Sequence, residues 1–207
     1  MIGTVSPAGG NFDEPVTQST LGTVKCFLGL SSARAYKRFY PAVDPLISWS
    51  RYLDQLRPHF DAQFRPGWAD SVRALAELLR HGDAVYQMMQ VTGEEGVTLD
   101  DYVTYQKALF LDMVYLQQDA FDKVDASTPQ ARQKDAFERV RVLVQRDYPF
   151  HDKEEARRFF TQLTGLMKNL NYAETGSPEH AAFAAQIEEL VRTLGRPQAR
   201  TVTDASP

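Results

Sequence analysis

Five pairs of adjacent carboxylates, four histidines and one cysteine carry the overt chemical potential of this chain: Asp13-Glu14, Glu94-Glu95, Asp100-Asp101, Glu154-Glu155, Glu188-Glu189, His59, His81, His151, His180 and Cys26. Paired carboxylates can divide acid and base work, and histidines at helical spacing can hold a metal. Neither arrangement is met. Residues adjacent on a helix point in different directions, so four of the carboxylate pairs read as solvated faces, Asp13-Glu14 being the exception. The histidines are far apart, without H-x-x-x-H or cysteine partner spacing, and read as surface residues. Cys26, in the apolar stretch from Val24 to Phe27, is expected to be a small buried hydrophobe. No serine or cysteine stands in a G-x-S-x-G context. A nucleotide hydrolase would hold phosphate on G-x-x-x-x-G-K-[ST], and none of the 12 glycines lies in that string. The spacing therefore implies no catalytic residue and no metal site within the chain.

One stretch is unlike the rest. Residues 6–18, SPAGGNFDEPVTQ, hold two prolines, the adjacent glycines Gly9 and Gly10, then Asn11 and the first carboxylate pair. Adjacent glycines permit positive φ and let the backbone approach another group closely, while the prolines stiffen the path. By composition alone this is a strand-to-helix connection.

Residues 1–5 read as the end of a β-strand with almost no partner downstream, which implies a chain beginning in the middle of a domain. Apolar spacing predicts a helix over 17–30, ended by Gly29, and a short basic helix over 33–39, capped by Ser31 or Ser32 and stopped by Pro41. Residues 40–46 are an extended turn, because each proline pushes its predecessor out of the α region. Another helix, capped by Ser50, reaches about residue 61 with a break at Pro58. Pro66-Gly67 marks the domain boundary. Beyond it, residues 68–80 and 83–92 read as two short helices ended by Gly82 and Gly93. The longest element follows: Thr98 and Asp101 resemble a capping box, and Leu99, Tyr102, Gln106, Leu109, Met113 and Leu116 line one face. Thr128-Pro129 opens the next helix (Phe137, Val140, Val144), Asp152 another (Ala156, Phe159, Phe160, Leu163, Met167, Leu170), and Ser177-Pro178 the last (Phe183, Ile187, Leu190, Leu194), which Gly195 stops. The polar tail 196–207 is expected to be disordered. The fold class is thus mainly α.

Length allows one large domain or two small ones. A formal net charge of −4 disfavours a phosphate-backbone binder, so nucleic acid is not an expected partner. No apolar run approaches the ~20 residues of a membrane span. A lone cysteine excludes an internal disulfide and fits a reducing cytoplasm.

The order of residues in the glycine stretch carries a resemblance. SPAGGNFDEPVTQ is similar to SPPGGDFSEPVTQ, a signature of the catalytic A subunit of the V-type and archaeal-type rotary ATPases. Residues 15–21 (PVTQSTL), the basic helix ending Arg38-Phe39-Tyr40-Pro41, and residues 116–121 (LQQDAF) match later landmarks of that subunit in the same order. Together they cover most of the chain. The resemblance implies the end of an α/β nucleotide-binding domain over 1–66 and a carboxy-terminal helical bundle over 67–195. It also places the family's phosphate-binding loop, catalytic glutamate and Mg²⁺-side aspartate outside this sequence.

By the same resemblance, Tyr40 and Phe121 would pack the adenine ring, and Gly9, Gly10 and Asn11 form the loop beside the nucleotide domain. The segment with Glu94, Glu95, Asp100 and Asp101 would be the acidic tip that pushes on the rotor. ATP or ADP with Mg²⁺ would belong to the intact subunit and none to this chain alone. The implied partners are B subunits and the central rotor stalk, and the membrane is reached only through the complex. Three departures stand out. Asn11 replaces the usual Asp, Ser127 stands where a third aromatic is frequent, and residues 40–46 look more like the catalytic β subunit of the F-type enzyme. Two other readings remain: a catalytically inactive helical interaction module derived from the family, and an F-type β or export ATPase subunit, which SPAGG and PVTQ disfavour.

Overall fold

The computed structural model describes residues 2–194, and helix prevails in them, as the apolar periodicity implies. Two compact units divide the chain, Met1–Ala76 and Glu77–Pro207, with the division inside a helix rather than at Pro66-Gly67.

The first unit is short elements joined by irregular backbone. Residues 2–7 take no regular structure, in place of the expected strand. Helix α1, Pro15–Thr23, begins on a proline and ends six residues before the expected stop at Gly29. The reason lies downstream: Cys26–Phe27 form strand β1, antiparallel to β2, Trp49–Ser50, and Leu30 bridges Val43. β-Branched and aromatic residues suit a pleated surface better than a helix, and the pairing leaves Cys26 exposed rather than buried. Helix α2, Ser32–Tyr36, is capped by Ser31, whose Oγ accepts the Arg34 N–H at 3.2 Å. Helices α3, Tyr52–Gln55, and α4, Arg57–Gln63, are separated at Leu56. Pro58 sits in the first turn of α4, where its missing N–H costs nothing. Ser50 belongs to β2 and only accepts the Tyr52 N–H, at 3.3 Å.

Helix α5, Trp68–Thr92, runs unbroken for 25 residues, about 37 Å at 1.5 Å per residue, where two short helices were expected. Gly82 does not stop it. A Cβ there would collide with the Ala108 Cβ, so the glycine serves close helix packing rather than a turn.

Within the second unit, α6 (Leu99–Leu111), a π-helical turn (Asp112–Leu116) and α9 (Pro178–Leu194) pack on α8 (Lys153–Tyr172), and α7 (Gln130–Gln145) packs on α6 and the π-helical turn. The stripes of α7 and α8 are all buried as expected. In α6, however, Leu109 is exposed while Ala108, Phe110 and Leu111 are buried, because α7 and α8 flank this helix and widen its inward face. Tyr148, Phe150, Phe159, Phe160 and Phe110 form one aromatic cluster, with ring centroids 4.8–6.2 Å apart. His59, His81 and His151 are exposed, whereas His180 is half-buried. Gly195 and the tail lie outside the described residues.

The caps expected at the starts of α6 and α8 form. Thr98 Oγ1 accepts the Asp101 N–H at 3.1 Å and donates to Asp101 Oδ2 at 2.8 Å. At the start of α8, Asp152 Oδ1 accepts the Glu155 N–H (2.7 Å), and Glu155 Oε2 accepts the His151 N–H (2.8 Å). That backbone bond, first among the causes, holds the Glu155 carboxyl below its ordinary range. A depressed folded pKa gives stability that is present above the unfolded value and lost as pH falls through the folded one. Hydrogen-exchange protection factors at residues 153–157, referred to the intrinsic rate at each pH, are therefore expected to fall once pH drops below the ordinary glutamate pKa of ~4.3, with the core of α8 still protected.

Arg132 ties α7 to the end of α8. Its Nη2 donates to the carbonyls of Leu170 (3.1 Å) and Asn171 (2.6 Å), and its Nη1 to that of Ala173 (3.0 Å). These carbonyls have no further turn of helix to serve, and a cation at a helix C-terminus also complements its dipole. Arg132→Ala is expected to destabilise the chain by about 2–3 kcal/mol, as read by urea unfolding.

Candidate functional site

The glycine stretch takes the backbone its residues allow. Gly9 and Gly10 have φ of 63° and 73°, the left-handed region. Asn11 Oδ1 accepts the Asp13 N–H at 3.0 Å, and Gln18 Nε2 donates to the Phe12 carbonyl at 2.8 Å, folding the stretch onto the start of α1. The Asn11 bond needs an acceptor oxygen and no charge, so aspartate in its place could make it equally well.

Tyr40 lies in the first unit, on the turn after α2, and is 48% exposed. The turn is fastened to the preceding segment: Ser31 N–H donates to the Ala42 carbonyl at 2.9 Å and Asp44 N–H to that of Gly29 at 2.8 Å.

Phe121 lies in the second unit and is 98% exposed, yet its backbone is closely held. The π-turn that closes α6 ends with the Gln117 N–H on the Asp112 carbonyl at 3.0 Å. The chain then enters a loop organised by three aspartates at three-residue spacing. Asp119 Oδ1 accepts the Phe121 N–H at 2.9 Å, and Asp122 Oδ1 accepts the N–H groups of Val124 and Asp125, both at 2.8 Å. Asp125 Oδ2 accepts the Asp119 N–H at 2.6 Å. Gln118 Nε2 spans the loop to the Asp125 carbonyl at 2.8 Å. Burial pushes the Asp125 carboxyl above its ordinary range, opposed by the Asp119 N–H. The D-x-x-D-x-x-D spacing from Asp119 to Asp125 is the local signal of this loop. A phenyl ring in water on a loop this well tied offers a flat apolar face to a ligand without the cost of ordering the loop.

The acidic segment joins α5 to α6 through a short 3₁₀ turn, Glu94–Gly96. Glu95 and Asp100 are exposed. Glu94, by contrast, is engaged: Arg157 Nη2 on α8 donates to both of its carboxylate oxygens at 2.6 Å, and Lys153 Nζ donates to its carbonyl at 2.6 Å. Arg157 Nε also donates to the buried Tyr102 hydroxyl at 3.0 Å. Arg157 and Lys153 carry no local signal, since they stand about sixty residues from Glu94 in sequence.

Among the described residues no group of three His, Cys, Asp or Glu is placed to hold a metal ion, and no helix is long and apolar enough to cross a membrane.

A glycine-containing segment precedes a helical domain, the order that the resemblance to the rotary ATPases implies. Family comparison agrees: residues 1–50 match the nucleotide-binding domain of the ATP synthase alpha/beta family, and residues 57–155 match the C-terminal domain of V and A type ATP synthase. The chain belongs to the V/A-type ATP synthase family and corresponds to the carboxy-terminal part of its alpha chains. It is 42% identical over 94% of its length to the V-type ATP synthase alpha chain of Protochlamydia amoebophila and 45% identical, also over 94%, to that of Chlamydia pneumoniae. In each case it spans only 32% of the relative. The fold is shared with the ATP synthase subunit NeqB from Nanoarcheaum equitans, at a TM-score of 0.53 and 16% identity over 67% of this chain and 33% of that one.

Proposed function

We propose that this chain acts as the carboxy-terminal portion of the catalytic A subunit of a rotary ATPase that couples ATP hydrolysis or synthesis to proton or sodium transport. In this reading Tyr40 and Phe121 pack the adenine ring, residues 1–66 complete the nucleotide-binding domain, and residues 67–195 form the helical lever. Glu95, Asp100 and Asp101 face the rotor stalk, while Glu94 anchors the tip to α8. The subunit sits with B subunits at the cytoplasmic side of the membrane.

The observation that carries the reading is Phe121: a ring 98% exposed on a loop held by three aspartates. Every base has a π-face, so such a ring holds adenine without base-specific hydrogen bonds. Surface burial adds support. Among the described residues from 2 to 67 no large apolar side chain is buried, and Val16, Leu28, Leu30 and Tyr36 are 63–86% exposed. Surface of this kind is usually covered by further protein, which fits a piece of a nucleotide-binding domain better than a free-standing module.

The aromatics suit the base of a nucleotide and not its phosphates or Mg²⁺, since the sequence holds no phosphate-cradling glycine string and, among the described residues, no set of metal-ligating side chains accompanies them. Stacking on two rings provides roughly 2–6 kcal/mol, against an association cost of about 4–15 kcal/mol. The isolated chain is therefore expected to bind ATP no tighter than about millimolar, and a micromolar affinity by calorimetry would contradict this. The adenine assignment itself is tested by photolabelling the assembled ATPase with 2-azido-ATP. Label is expected on the peptides holding Tyr40 or Phe121, and saturable label on neither would sink the assignment.

A further inference from the structure

A cavity of about 800 Å³ opens between α7, α8 and α9, formed by none of the residues of the nucleotide or rotor reading. Its floor is apolar, with Leu143, Met167, Leu170, Ile187 and Val191 all buried beneath it. One wall carries Arg139, half-buried and without an ion pair among the described residues. Its volume falls within the range of about 300–1,000 Å³ typical of small-ligand sites.

We propose that this cavity binds an amphiphilic monoanion, a single carboxylate on an aliphatic body, with Arg139 anchoring the carboxylate and the floor covering the aliphatic part. A half-buried guanidinium with no carboxylate at ion-pair distance is costly, and its planar fork matches a carboxylate in bidentate fashion. Of the other lining cations, Arg132 spends its donors on the carbonyls that end α8, Arg192 pairs with Glu189, and Arg146 is exposed where Arg139 is half-buried. Asp135, Glu138 and Glu188 line the same cavity. Four lining arginines (Arg132, Arg139, Arg146, Arg192) against these three carboxylates leave a net formal charge of +1, which matches a headgroup of one negative charge. The cationic field is visible at His180, also in the lining, whose pKa is lowered first by burial and then by Arg132 and Arg139.

The 207-residue chain, ¹³C-labelled in its methyl groups, is titrated with decanoate, decan-1-ol and decylammonium, each below its micelle-forming concentration. Decanoate is expected to produce saturable shifts at Val142, Met167, Ile187 and Val191, with the alcohol and the amine at least tenfold weaker. Arg139→Gln is expected to weaken decanoate at least tenfold, with Arg139→Lys intermediate. Equal affinity for the three probes, saturation elsewhere, or no saturable binding overturns the proposal, and this comparison on the unsubstituted chain stands even if a variant fails to fold. Methyl NOEs from the cavity to Val202 in the ligand-free chain would place the chain's own end there. A dimer that decanoate leaves intact would place a second copy there. Either result also overturns it.

Discussion

Replacing Phe121 by alanine in the assembled ATPase is expected to raise the KM for ATP by about five- to a hundredfold, with the thermal unfolding midpoint unchanged. The magnitude follows from the roughly 1–3 kcal/mol that one base–aromatic contact contributes. The unchanged midpoint follows from exposure: a ring 98% in water packs against nothing that its removal would leave empty. The loop should keep its shape, because Asp119 accepts the backbone N–H of residue 121 and not its side chain. Steady-state kinetics with ATP and GTP, alongside calorimetry of the same variant, separates the possibilities. A large fall in kcat with constant KM would mean that the ring acts on the lever and not on the base. A fall in midpoint would mean that it packs against protein.

Phe160→Ala should do the reverse. This side chain is 2% exposed and stands 5.3–6.2 Å, centroid to centroid, from the rings of Phe110, Tyr148, Phe150 and Phe159. Truncating it removes apolar burial and leaves a cavity that four aromatic neighbours cannot easily close, a loss of about 3–5 kcal/mol. For a helical domain of this size the unfolding midpoint is expected to fall by roughly 10–20 °C. A change under about 1 kcal/mol in urea unfolding would show that the cluster relaxes into the gap and that the aromatic packing is not a cooperative core.

These two phenylalanines look alike in sequence, and they separate what local signals reveal from what they conceal. Phe160 was legible as core because Ala156, Phe159, Leu163, Met167 and Leu170 repeat with it at helical spacing, and a stripe that wide must be covered. Phe121 has no periodic company. Only its place after LQQD marked it, through resemblance and not through physics. The acidic tip divides in the same manner. All four carboxylates read as equivalent, yet Glu94 turns toward Arg157 and Lys153 while Glu95 and Asp100 face water.

The failures share a cause. Residues 24–30 were assigned to a helix because their apolar spacing approximates one, and a two-residue strand cannot be recognised before its partner, Trp49–Ser50, is known. The exposure of Cys26 follows from that pairing. Gly82 was read as a stop because glycine punctuates chains more often than it packs helices, and only the approach of Ala108 reveals its other use. Leu109 was placed inside by a period that assumes a single covered face, whereas α6 is flanked by both α7 and α8.

By itself the sequence determined what acts within one turn or one helix: the caps at Ser31, Thr98, Asp152 and Ser177, the stripes of α7 and α8, and the left-handed glycine loop. Hydrogen bonds spanning three residues and faces repeating every three or four are complete within a short window of chain. The tertiary structure decided whatever depends on a second segment: the β1–β2 pair, the uninterrupted α5, the Glu94–Arg157 tie, the Arg132 cap on α8 and the cavity between α7, α8 and α9. Each of these joins residues remote in sequence, and their energy exists only once packing has brought both sides together.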